Sequence, residues 1–104
     1  MHSEIDVETP YTVRLQDAGK ITEEGRATAE RNFTRALEKA VGGEENVVSS
    51  LRAFERIAES GRKPTKAQEA EAKAWQEAWS KAAQAGMKEF GEDQSEAWFE
   101  LRVS

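Results

Sequence analysis

The side chains of this chain that could carry out chemistry are few, and none falls into a catalytic or metal-binding pattern. His2 is the single histidine, and the chain contains no cysteine. A zinc, copper or iron site would therefore lack its usual nitrogen and sulfur ligands. A nucleophile activated by a neighbouring histidine is equally unsupported. We expect no metal and no cofactor, and we interpret His2 as a terminal residue without a role.

The 20 acidic residues include several close pairs, an arrangement that acid–base catalysis can use. Glu23-Glu24 and Glu44-Glu45 begin predicted helices, where the helix dipole favours negative charge. Glu69 and Glu71 lie near the start of the third helix, and Glu92-Asp93 follows it. Catalysis would need one carboxyl group whose pKa is raised by an apolar pocket. The sequence indicates no such pocket, so we predict a protein that is not an enzyme.

Two further clusters could bind a ligand. Trp75 and Trp79 are one helical turn apart and project from the same face, which makes them a candidate aromatic ligand face for a planar or cationic molecule. Packing in the core is the interpretation that we favour for both rings. A basic cluster at Arg62, Lys63 and Lys66 could contact nucleic acid, but a net charge of −5 argues against it.

Two segments of alternating apolar and polar residues, Tyr11–Gln16 and Ala97–Val103, predict a strand near each end of the chain. The apolar residues of each segment share one face, which we expect to pack on helices. The opposite face of the second segment then carries Trp98, and tryptophan is enriched at binding hot spots. Two interpretations stay open: Trp98 is exposed at an interface, or it is covered by the segment of Ile5 and Val7 or by a shift of the strand by one residue. The residues that we predict at an interface on this opposite face are Trp98, Arg14, Glu100 and Arg102.

Between the strands, apolar residues recur at steps of three and four, which predicts three helices. Their ends are marked by capping residues, namely Thr22, Gly42-Gly43, Ser60-Gly61, and the capping box of Thr65 and Gln68. Gly86 lies inside the third helix, where it would kink the helix or permit close packing. We expect the third helix to end at Gly91.

These elements predict an α+β fold that is mostly helical, with the order β-α-α-α-β. A small two-stranded sheet of the N- and C-terminal strands packs on a three-helix layer in one domain, residues 1–104, with residues 1–9 as a partly flexible N-terminal arm. Three helical passes that alternate in direction predict parallel strands. A sheet of two strands would leave two exposed edges, and exposed edges invite a further strand.

The composition excludes several classes of protein. No apolar run approaches the ~20 residues that span a bilayer, and the first residues do not form a signal-peptide pattern. The lack of cysteine is consistent with a reducing compartment. We predict a cytoplasmic protein of bacterial, phage or plasmid origin that does not bind membranes.

Three functional hypotheses follow. The first is a small non-catalytic protein-interaction or regulatory module that forms a homodimer through its exposed sheet. The second is an acidic inhibitor or immunity-type protein that binds an enzyme or a nucleic-acid-binding partner. The third is a small-molecule binder that uses the face of Trp75 and Trp79.

Overall fold

The computed structural model of the chain describes residues 10–17, 21–88, 90 and 97–103. It contains, in order, β1 (Tyr11–Gln16), α1 (Glu23–Val41), α2 (Glu44–Glu59), α3 (Lys66–Met87) and β2 (Trp98–Val103). The predicted fold class, β-α-α-α-β with a two-stranded sheet, is confirmed. The predictions for the N-terminal arm, His2 and Glu92-Asp93 concern positions outside the described residues.

The helices begin where the sequence places caps. The Thr22 side chain accepts a hydrogen bond from the N–H of Gly25 at 3.1 Å. Thr65 and Gln68 form the predicted capping box, since each side chain accepts a hydrogen bond from the other's backbone N–H, at 3.1 and 2.9 Å. Such caps satisfy N–H groups that have no partner within the helix.

The C-terminal end of α1 lies where the sequence predicts it, whereas that of α3 does not. α1 ends at Gly42, whose φ of 90° is a left-handed conformation that glycine adopts without steric cost. The prediction that α3 continues to Gly91 is wrong, because α3 ends at Met87. The N–H of Phe90 donates to the carbonyl oxygen of Met87 at 3.0 Å, three residues back, so the chain has already left the helical path there.

The prediction of parallel strands is also wrong, because β1 and β2 pair antiparallel, with Leu15 opposite Phe99. The reason lies in α2. Trp79 of α3 contacts Phe33 of α1, whereas Gly86, further along α3, lies against Ala29, which comes earlier in α1. α1 and α3 therefore run in opposite directions. The prediction counted α2 as a separate pass of the chain, which would have made α1 and α3 parallel.

The core lies between the inner face of the sheet and the pair α1 and α3. Phe33 is fully buried, and its ring stacks on Phe99 with the centroids 4.3 Å apart. Trp79 meets the same ring edge-on at 4.8 Å. Phe33 thus joins α1, α3 and β2 in one apolar cluster. None of the three described helices is long and apolar enough to cross a bilayer.

Candidate functional site

The two faces of the sheet differ in character, as the period-two pattern predicts. Tyr11, Val13 and Leu15 of β1 are buried against the helices, as is Phe99 of β2. The side chains of the alternate positions point away from the helices and form what we call the outer face: Thr12, Arg14, Gln16, Trp98, Glu100 and Arg102. The four predicted interface residues therefore share one surface.

Trp98 is the most unusual side chain of the outer face. It is 59% exposed, and among the described residues it is the one large apolar side chain with substantial exposure. It is paired with Gln16 at one end of the sheet. An exposed tryptophan beside polar residues is typical of a binding surface, because its large ring gains from being covered.

Glu100 is the centre of the polar contacts on the outer face. Its carboxylate accepts a hydrogen bond from the Nε2 of Gln16 at 3.2 Å. It also accepts bonds from the Nε and Nη2 of Arg102, at 3.3 and 3.2 Å. Arg14 lies directly opposite Glu100 in the register and is exposed. A shallow groove of about 420 Å³ runs beside Arg14 and Arg102.

The two edges of the sheet are not equivalent. At the edge formed by β1, the backbone N–H of Leu15 donates to the Oε2 of Glu30 at 2.8 Å. The carbonyl oxygen of Leu15 accepts a hydrogen bond from Arg26, and Arg26 also forms an ion pair of 2.7 Å with Asp17. Side chains of α1 therefore occupy this edge at Leu15, where the expectation of an exposed edge is wrong.

The same contacts identify which backbone groups of β2 face outward. In an antiparallel pair, the N–H and C=O of one residue point to the same side, and successive residues alternate. The N–H and C=O of Leu15 both bond to side chains of α1, on the side away from β2. Its register partner Phe99 must therefore point its own N–H and C=O away from β1. Leu101 and Val103 have the same parity as Phe99. We call the N–H and C=O groups of Phe99, Leu101 and Val103 the free edge.

The free edge has no partner in the part of the chain that the structure describes. None of the hydrogen bonds between described residues, apart from those of the β1–β2 ladder, reaches Phe99, Leu101 or Val103. An unpaired edge exposes donors and acceptors that a further strand can use. Sequence reasoning missed that Glu30 and Arg26 close the other edge at Leu15. Their spacing of four residues on one side of α1 was the available signal.

Tyr11 is the described residue whose ionisation is most altered by its surroundings. It is 4% exposed, and its hydroxyl donates a hydrogen bond to the carboxylate of Glu38. Burial raises the pKa of Tyr11 far above its ordinary value of 10.0, and the hydrogen bond to Glu38 and the charges of Glu38 and Glu44 raise it further. Tyr11 therefore stays neutral at physiological pH, and its hydrogen bond to Glu38 connects β1 to α1.

Because the pKa of Tyr11 is raised by folding, stability is expected to fall as the pH rises above about 10. Below that pH the tyrosine is neutral in both states, whereas above it the unfolded chain ionises first. Urea unfolding at about pH 9 and about pH 11 measures the change. Tyr11→Phe should remove the part of this loss of stability that comes from tyrosine ionisation, since Tyr11 is the single tyrosine. An equal loss of stability with rising pH in both proteins would contradict the assignment.

Trp75 and Trp79 are used mainly in packing. Trp75 is 6% exposed, and the two rings lie 6.0 Å apart with their planes at 50°. Together with Leu51 and Phe54 they border an open apolar groove of about 490 Å³ between α2 and α3. The two rings are tilted against each other, and Trp79 is also edge-on to Phe33. The ligand face of Trp75 and Trp79 stays a prediction.

The remaining candidates lie apart from the sheet. The carboxylates in the first turns of α1, α2 and α3 are exposed, and the helix dipole accounts for them: Glu23, Glu24, Glu44, Glu45 and Glu69. Glu71 is exposed further along α3. Arg62, Lys63 and Lys66 are exposed as well. Within residues 10–17, 21–88, 90 and 97–103, no three acidic or histidine side chains are grouped so that they could hold a metal ion.

Comparisons of this chain with protein-family models, curated proteins and solved structures give no significant match. Among the described surfaces, the outer face and the free edge combine an exposed aromatic ring, a local charge pattern and unpaired backbone groups. These are the properties that recognise another polypeptide strand.

Proposed function

We propose that this chain is a small, non-catalytic protein-interaction module that self-associates as a homodimer by pairing β2 with β2 of a second copy. The observation that carries the proposal is the contrast between the two edges. Side chains of α1 occupy the edge of β1 at Leu15, whereas the free edge of β2 has no described partner. An antiparallel strand placed there would form about six interchain hydrogen bonds.

A second copy suits this edge for a reason of symmetry. A two-fold interface uses the same surface on both subunits, so one pairing event covers both free edges at once. The product is a four-stranded antiparallel sheet with β1 strands outermost. Two strands alone are marginal, whereas a wider sheet packed on helices is stable. The edges of this wider sheet would be those of β1, which α1 already protects at Leu15.

The inner face supports the same arrangement. Phe99 is buried, and Leu101 and Val103 are half-buried. Pairing β2 with its copy would set these apolar side chains beside those of the partner and remove more of their surface from water. The helical layers of the two subunits would then lie on the same side of the sheet, and the two outer faces on the other.

The proposal is tested by comparing Val103→Pro with Val103→Ala. Proline removes the outward N–H of residue 103 and blocks the approach of a strand, while its ring is compatible with an edge position. Alanine shortens the side chain but keeps the N–H. We expect wild type and Val103→Ala to be dimers at micromolar concentration, and Val103→Pro to associate about 100-fold more weakly. Sedimentation or light scattering measures the masses.

Circular dichroism and urea unfolding establish that both variants remain folded. Val103 is the last residue of β2 and its outward N–H takes no part in the ladder with β1, so folding should be retained. A wild-type protein that is monomeric throughout the micromolar range would refute the proposal. Equal association of the proline and alanine variants would refute the free edge as its site.

A further inference from the structure

The charges of β2 on the outer face are arranged symmetrically about Leu101. Glu100 precedes it and Arg102 follows it, and both side chains are on the same side of the sheet. When two copies pair antiparallel about a two-fold axis, a residue before the axis position lies opposite the partner's residue that follows the axis position by the same number of residues. An axis at Leu101 therefore sets Glu100 opposite Arg102 of the partner subunit, and it does so twice.

The backbone restricts where this axis can lie. Phe99, Leu101 and Val103 carry the outward groups, so they must meet one another across the interface. An axis at Leu101 joins Leu101 to its own copy and Phe99 to Val103 of the partner subunit. An axis at Glu100 also satisfies the backbone, but it sets two Glu100 carboxylates face to face. An axis at Arg102 does the same with two guanidinium groups.

Charge distinguishes between these registers. Opposite charges directly across a strand pair stabilise it, and like charges destabilise it by a similar amount. The present contact of Arg102 with Glu100 within one strand is 3.2 Å long, but the Arg102 side chain is 75% exposed. Such an exposed ion pair contributes little, so exchanging it for the partner's charge costs little.

From these observations we infer that the dimer, which rests on the function proposed above, is centred on Leu101 and selected by two reciprocal pairs of Glu100 with Arg102 of the partner subunit. Trp98 then lies diagonally across from the partner's Arg102, at a spacing that long side chains bridge. The guanidinium can cover the exposed ring of Trp98 by a cation–π contact. The partner of this surface is therefore a second copy of the chain.

The experiment uses two charge variants of the full chain. Glu100→Arg gives a strand with two positive charges, and Arg102→Glu gives one with two negative charges. Each alone sets like charges opposite each other twice, so each should self-associate about 10- to 100-fold more weakly than wild type. An equal mixture of the two should form a heterodimer, because every pair across the axis is then opposite in sign.

The double variant Glu100→Arg/Arg102→Glu restores both pairs and should return to a homodimer. Native mass spectrometry of the mixture, with one variant carrying an affinity tag, distinguishes heterodimers from homodimers. Arg52→Glu is the control, because it makes the same change of charge as Arg102→Glu at an exposed position of α2, outside the outer face. It should leave the dissociation constant close to that of wild type.

The direction in which the dissociation constant changes distinguishes pairing of individual charges from the effect of the net charge. Glu100→Arg makes the net charge less negative than −5, so overall repulsion alone would predict tighter association of this variant. A wild-type dimer that is disrupted by Val103→Pro, but whose two charge variants each associate like wild type, would overturn the Leu101 register and leave the proposed function standing. A wild-type monomer would overturn both.

Discussion

Replacing Phe33 with alanine is expected to lower the free energy of unfolding by about 3–5 kcal/mol. Phe33 is fully buried, and its ring stacks on Phe99 and meets Trp79 edge-on. Removing the ring leaves a cavity where α1, α3 and β2 meet. The stability lost includes the free energy of transferring the ring from water to the core and the van der Waals contacts of the side chains around the cavity. Urea unfolding followed by circular dichroism measures the change.

The same substitution at a half-buried ring is the matched control. Phe54 lies on α2 at the open groove and is only partly buried, so Phe54→Ala should cost less than half as much as Phe33→Ala. All samples need the same protein concentration, since self-association contributes to apparent stability. Equal losses in the two variants would contradict the assignment of Phe33 as the centre of the core.

The order and type of the elements could be predicted because they depend on local signals. Alternation of apolar residues marks β1 and β2, and the caps at Thr22, Gly42 and Thr65 mark helix ends. The direction of β2 could not be predicted in this way. The prediction of parallel strands assumes that each helix reverses the direction of the chain. The direction that α2 takes between α1 and α3 depends instead on long-range packing. α1 and α3 pack against each other in opposite directions, which makes β2 antiparallel to β1.

The candidate surface was predictable to a similar degree. Period two alone assigns Arg14, Trp98, Glu100 and Arg102 to one face, and the structure places them together there. The difference between the two edges was not predictable, because it depends on Glu30 and Arg26 reaching the backbone of Leu15 from another element. Sequence periodicity indicates which way a side chain points, but not which backbone group it will meet.

The close packing of α3 against β2 depends on Gly86. A Cβ at this position would overlap the Phe99 ring and would lie 3.0 Å from the carbonyl oxygen of Ala29. The ring cannot move aside freely, because it stacks on Phe33, and the carbonyl belongs to the backbone of α1. The prediction that this glycine permits close packing is therefore confirmed.

Gly86→Ala is accordingly expected to destabilise the protein by about 1–3 kcal/mol. This is opposite in sign to the gain of about 1 kcal/mol that alanine brings over glycine in an open helix. The closest clash is with Phe99, so Phe99→Leu in the same chain should relieve that part of it. A double-mutant cycle measured by urea unfolding should then give a coupling above about 0.5 kcal/mol.

The same variant connects the core to the proposed interface. Phe99 is both the ring that contacts Gly86 and the first residue of the free edge. A Cβ at position 86 pushes this ring and thereby displaces β2, so Gly86→Ala should weaken self-association as well as stability, and Phe99→Leu should partly restore the stability. If Gly86→Ala instead raised the unfolding midpoint, α3 and β2 would have to be further apart than the contact of Gly86 with Phe99 requires.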